Sequence, residues 1–194
     1  FDVAVLEQDV IPVLAAEGRL ARLDHGNIPN LRNISTDFRN LAIDPDNAYS
    51  IPYNWGATGL VVRTDLIGKP VAHWSDLWDP TLTGRVAVRD QPVEVIGTVL
   101  LALGLPLNTH DPAHLAAAEA KLIELEPAHV FFEADRDLAL PALLSGEVTV
   151  LLVWAGDALE ARAENPAVEF VLPEEGLALW QDAFTVSSAS SKQY

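Results

Sequence analysis

An α/β fold with parallel strand pairs is the class this sequence predicts, and three observations predict it. From residue 85 onward, short apolar strands alternate with helical stretches of roughly 10–15 residues. The run Val148–Trp154 is apolar except at Thr149, as a strand covered on both faces would be. Helical stretches close at Gly18, Gly104 and Gly146, and glycine is the residue that most readily takes the left-handed conformation just past a helix end.

The elements follow in order. Phe1–Leu6 is a β-branched, apolar run that reads as a buried strand. A helix follows from about Val10 to Glu17. Leu20–Tyr49 is polar and punctuated by Pro29, Asn30, Asn33, Asp44, Pro45 and Asp46, which reads as turns. Tyr49–Tyr53 and Gly59–Val62 read as two strands separated by a break at residues 55–58. Ser75–Trp78 reads as a short helix with Ser75 at its N-cap and Trp74 and Trp78 packing on one face. Arg85–Arg89 is a short strand. A helix spans Pro92–Leu103, and Asp111 followed by Pro112 opens another to about Glu126. Strand Val130–Phe132, helix Asp135–Leu144, strand Val148–Trp154 and helix Asp157–Glu164 come next. Strands Glu169–Leu172 and Ala178–Val186 precede a small, polar tail at Ser187–Ser191.

Composition narrows the function classes. The chain has 194 residues, and 12 basic against 28 acidic side chains leave it at −16. With 49% hydrophobic residues it has a real core, and a chain of this length buries about 70% of its unfolded surface. The charge lies within apolar segments, which excludes a disordered acidic tail. Such a balance argues against nucleic acid, whose affinity comes from basic groups meeting phosphates, and against an anionic membrane surface. The apolar runs Val148–Ala155 and Val95–Leu107 fall short of the roughly 20 residues that span a bilayer, so no membrane insertion is expected in this segment. There is no Cys, which excludes thiol chemistry and disulfides. There is no Met, even at position 1, so the chain reads as processed, trimmed or internal to a longer one.

Ligands in open α/β sheets gather where strands end. That rule selects Trp154, Asp90 with Glu94 in the next helical turn, Glu7 and Asp9 beyond the first strand, and Trp180 with Asp182. Trp180 and Asp182 are two apart on one strand and therefore share a face. Indole rings beside a carboxylate make a cage for an organic ammonium, through cation–π contact and charge-assisted hydrogen bonds. Packing readings stand beside these. Trp154 also reads as core, Glu94 as an acid favoured at a helix N-terminus, Asp90 as that helix's N-cap, and Trp55 as packing or ligand contact. Asp182 is the least comfortable as structure, because a charge on an apolar strand is costly unless paired or wet.

A metal centre is not expected. His110 and His114 are four apart, but the helix start falls between them and no third ligand is evident. No nucleophile with a positioned base appears. A hydrolase working with paired carboxylates stays open as an alternative, and no cofactor is called for.

Six stretches in order then resemble one family. They are Tyr49–Gly59 (YSIPYNWGATG), His73–Pro80 (HWSDLWDP), Asn108–Pro112 (NTHDP), Ser145–Val148 (SGEV), Trp154–Ala158 (WAGDA) and Pro173–Asp182 (PEEGLALWQD). Together they resemble the bacterial spermidine/putrescine-binding proteins of ABC transporters, over essentially the whole chain. The resemblance implies a periplasmic-binding-protein-like fold of type II, with one complete lobe plus part of the second, and no enzymatic activity. It places 1–57 and 182–194 in partial lobe one and 58–181 in lobe two, with crossover strands near 49–59 and 177–182. It implies an internal fragment of a longer, monomeric protein that is exported by a signal peptide to the periplasm or beyond and delivers its ligand to an ABC permease. Trp154, Trp180, Asp182 and Glu94 match ligand-site positions of that family. Gln91 stands where the family has an acid, Asp9 where it has an aromatic, Glu7 where it has a serine, and Ala134 where it has a small hydroxyl. The expected ligand is a polyamine, spermidine or putrescine. A different small cation or polar ligand on the same fold, in a receptor or a sensor, is the alternative.

Overall fold

The computed structural model describes residues 1–125, 130–132 and 136–192, with backbone alone for 130–132, 136 and 137. The expectations for Glu126, Ala134 and Asp135 lie outside the described residues. The chain divides into two units, Phe1–Gly56 with Trp180–Tyr194, and Ala57–Leu179. Strands β2 (Ser50–Arg63) and β7 (Ala178–Val186) each straddle the boundary between them.

The first unit is built on β1 (Val3–Glu7), which pairs antiparallel with β7. Its buried face is small. Ile11 from α1 (Val10–Ala16), Leu20 and Ala183 form the centre, with Leu6, Leu14, Ala15 and Tyr49 around them. Gly18, with φ of +67°, turns the chain out of α1 at the cost of no Cβ clash. The turn-rich segment resolves into four short 3₁₀ helices between His25 and Asn47. Buried Asp44 anchors its end by accepting bonds from the backbone N–H groups of Ala48 and Tyr49 and from the Ser50 hydroxyl.

Two expectations are corrected here. The strand at the start is not buried: Val3 and Val5 are exposed, because successive residues face opposite sides and only Ala4 and Leu6 turn toward the core. The break at residues 55–58 does not exist, since β2 runs unbroken for 14 residues. Gly56 and Gly59 serve close approach rather than turning. A Cβ on Gly56 would lie 2.3 Å from the Trp180 ring, and one on Gly59 would lie 2.6 Å from Phe170.

The second unit is a three-layer α/β sandwich. β2 pairs antiparallel with both β5 (Val150–Trp154) and β6 (Val168–Val171), while β3 (Val86–Arg89) pairs parallel with β5 and β4 (Val130–Phe132). Alternation sorts the strands into two cores. Leu60, Val62, Val86, Val88, Val150 and Leu152 face the side that holds α2 (Pro92–Ala102), α3 (Pro112–Leu125) and Trp74. Val61, Ala87, Leu151 and Val153 face α4 (Arg136–Ser145) and α5 (Ala155–Glu164). Buried Arg63 joins the layers, donating from Nη1 to the carbonyls of Leu143 and Leu144 at the C-terminal end of α4.

The stretch around the two tryptophans also departs from expectation. It is a 3₁₀ helix, Trp74–Trp78, capped by His73 and Asp76 rather than by Ser75. The two indoles do not share a partner, because at three residues per turn positions four apart diverge. Trp74 donates to the Gly176 carbonyl at 2.8 Å, and Trp78 to the Lys121 carbonyl at 3.0 Å.

Candidate functional site

In the first unit, the register of β1 on β7 sets Glu7 directly opposite Asp182. Glu7 is the last residue of β1 rather than a residue beyond it. The flanking backbone bonds, Gln8 N–H to Gln181 O and Ser187 N–H to Asp2 O, are each 3.0 Å. Counting inward from them in steps of two makes Glu7–Asp182 a non-hydrogen-bonded pair, the position where opposed side chains approach most closely. Like charges set directly opposite destabilise a sheet. Burial adds to the cost, pushing the Asp182 carboxyl above its ordinary value. Trp180 and Phe184 occupy the same face, with Gln181 and Ala183 buried on the other. The Trp180 ring lies against the backbone at Gly56, where a Cβ would come within 2.3 Å of it. Asp9 stands at the N-cap of α1, exposed, with no side-chain capping bond.

In the second unit, Trp154 closes β5 and Glu94 lies in the first turn of α2. The two meet: the Trp154 indole N–H donates to Glu94 Oε1 at 2.9 Å. The Thr58 hydroxyl donates to Glu94 Oε2 at 3.1 Å, and Thr58 is the register partner of Trp154 across β2 and β5. Both bonds come from neutral donors, so they orient the carboxylate and leave its charge in place. No basic side chain pairs with Glu94 among the described residues. Trp154 is half-buried, so neither the wholly packed reading nor an open ring describes it.

Gln91, not Asp90, is the N-cap of α2, and its side chain makes no capping bond. Pro92 at the first helical position accounts for the shift, since its fixed φ starts the helix one residue later than an Asp90 cap would. Asp90 is exposed at the end of β3. Trp55 packs on Phe38, with ring centroids 5.1 Å apart. Among the described residues no group of three or more metal-ligating side chains occurs, and no helix is long and apolar enough to cross a membrane.

Sequence reasoning missed three residues of this neighbourhood. Thr58 orients Glu94. Arg89 stacks on Trp154, with its guanidinium carbon 3.9 Å from the ring centroid. Asp157 holds Arg89 by a 3.0 Å bond from Nη1. Arg89 ends an apolar strand and Asp157 follows a glycine, so only the fold brings them together, 68 positions apart.

Comparison with known proteins agrees with this architecture. The chain is 34% identical over its whole length to the spermidine/putrescine-binding periplasmic protein of Escherichia coli K12, of which it covers 56%. It spans about half the length of that relative. Its fold superposes on the substrate-binding protein PotD of a spermidine/putrescine ABC transporter from Streptococcus pneumoniae with a TM-score of 0.83 and 29% identity, covering all of this chain and 59% of that one. The TpPotD lipoprotein of Treponema pallidum gives a TM-score of 0.90 at 26% identity, covering 61% of that chain. The model of the bacterial extracellular solute-binding protein family matches residues 1–194. This is a family of binding proteins rather than of enzymes, and the chain belongs to it.

Proposed function

We propose that this chain carries the ligand-binding residues of an extracytoplasmic receptor that captures a polyamine and passes it to an ABC permease. One observation carries the reading: Glu7 and Asp182 oppose each other at a close cross-strand position, on the face that also presents Trp180. Two carboxylates so placed repel, and an ammonium ion relieves that repulsion while the indole covers its methylene groups. The second unit repeats the chemistry with Glu94 and Trp154. Each cluster offers a carboxylate and an indole to an ammonium group and its methylene chain. Asp9 and Gln91 complete the proposed set, Gln91 by its neutral amide. The relatives named for spermidine and putrescine support the same ligand class. A monomeric receptor working outside the cytoplasm, with no nucleic acid partner, fits the acidic balance.

A second reading is favoured by Gln91. Its neutral amide stands where an acid would favour an ammonium group, which suits a ligand that carries another polar group beside its amine. Calorimetric titration of the complete protein with putrescine, spermidine and amino-alkyl acids decides between the two. Tight binding of a polyamine supports the first. Heat from an amino-alkyl acid and from no polyamine overturns it.

A further inference from the structure

The Arg89 side chain is the feature that the proposed function leaves unused. It is a cation lying on the ring that would receive a cation. Its guanidinium carbon sits 3.9 Å from the Trp154 centroid, and Asp157 fixes it there at 3.0 Å. The pair is buried, with side chains 8% and 9% exposed. Trp154 cannot turn away from this partner, because Glu94 holds its indole N–H at 2.9 Å. Thr58 in turn holds Glu94. The ring is thus gripped at its edge by an anion and on a face by a cation.

A π system attracts cations through its quadrupole, and a resident guanidinium already uses that attraction. A second cation over the exposed part of the ring would meet the field of the first in a partly dry site, where charges are weakly screened. Asp157 offsets part of that field but leaves the guanidinium on the ring face. Uncharged methylene carbons meet no such penalty, and Glu94 offers its carboxylate beside the same ring. We propose that Arg89 is a positioning residue that acts through Trp154 to set selectivity: the ring takes the alkyl part of the ligand, Glu94 takes the nitrogen, and compact quaternary ammonium ions are rejected. A quaternary ion has no N–H to give Glu94 and depends on an aromatic face for its charge. The class selected is the linear alkyl amine. This rests on the polyamine reading above.

The test is calorimetry on the complete protein with putrescine and with choline. The wild type should prefer putrescine by about 100-fold or more, as expected where a charge-assisted hydrogen bond is open to one ligand alone. Arg89→Met combined with Asp157→Asn removes both charges without stranding either, and should gain about tenfold for choline relative to putrescine. Arg89→Lys keeps the cation and should keep the wild-type ratio. A purely structural Arg89 predicts instead that both ligands weaken in parallel and that the ratio stays put, and either result overturns the inference. So does a wild type that binds choline as well as putrescine, a measurement that needs no variant. A wild type that binds no polyamine overturns the polyamine reading itself. Putrescine binding with an unmoved ratio overturns this inference alone.

Discussion

Asp182 is the residue where stability and binding pull against each other. Burial holds its carboxyl above the ordinary value of 3.8, so the folded protein keeps that proton more tightly than the unfolded chain does. The stabilisation from this group is therefore full below the unfolded pKa. It is lost as pH rises through the folded value and stays lost at neutral pH. Asp182→Asn should raise the melting temperature of the ligand-free protein by about 1–3 °C at pH 7 and by less near pH 4. A melting temperature that falls at pH 7 would contradict this account. The residues of this cluster were readable in advance because strand alternation alone puts Trp180 and Asp182 on one face. The facing of Glu7 and Asp182 was not, since register is a long-range property that hydrophobic pattern and turns must fix together.

Among elements, β2 shows how a local signal is overruled. Two glycines within a Trp-Gly-Ala-Thr-Gly stretch carry the marks of a turn. Neither has a positive φ, and both sit in continuous strand. They are there because neighbours need the space: the Trp180 ring over Gly56, and the Phe170 ring and the Val171 carbonyl over Gly59. Gly59→Ala should therefore destabilise the protein by about 1–3 kcal/mol through overpacking against β6. Chemical denaturation measures it, and an unchanged midpoint would mean that β6 can move aside. Helix ends were legible for the opposite reason. Gly18, Gly104 and Gly146 all have positive φ, a requirement local to the backbone. The start of α2 at Pro92 was legible too, and only its N-cap was placed one residue early, at Asp90 instead of Gln91.

At the scale of the molecule, the two units differ in what holds them. Ala57–Leu179 is one continuous stretch with apolar clusters on both faces of its sheet. Phe1–Gly56 with Trp180–Tyr194 is discontinuous and rests on a single small cluster. A fragment of residues 57–179 should fold on its own in one cooperative transition, because its core lies within it. Hydrogen exchange or a thermal melt reads this, and a fragment lacking a cooperative transition would refute it. The parallel pairing of β3 with β4 and β5 was legible from the alternation of strands and helices. The antiparallel partners of β2 were not, because they come from residues about 90 to 110 positions away. The Arg89, Trp154 and Glu94 network was hidden for the same reason.

Acids beside indoles, Asp182 with Trp180 and Glu94 with Trp154, are what hold ammonium groups in the proposed function. Putrescine titration of the complete protein against its Glu94→Gln and Asp182→Asn variants tests it most directly. Each lost charge-assisted hydrogen bond should cost about 1.5–3 kcal/mol, or roughly 10- to 150-fold in affinity. Weakening of that size is expected in both variants while each remains folded. Undiminished putrescine affinity in folded Asp182→Asn and Glu94→Gln proteins would contradict it.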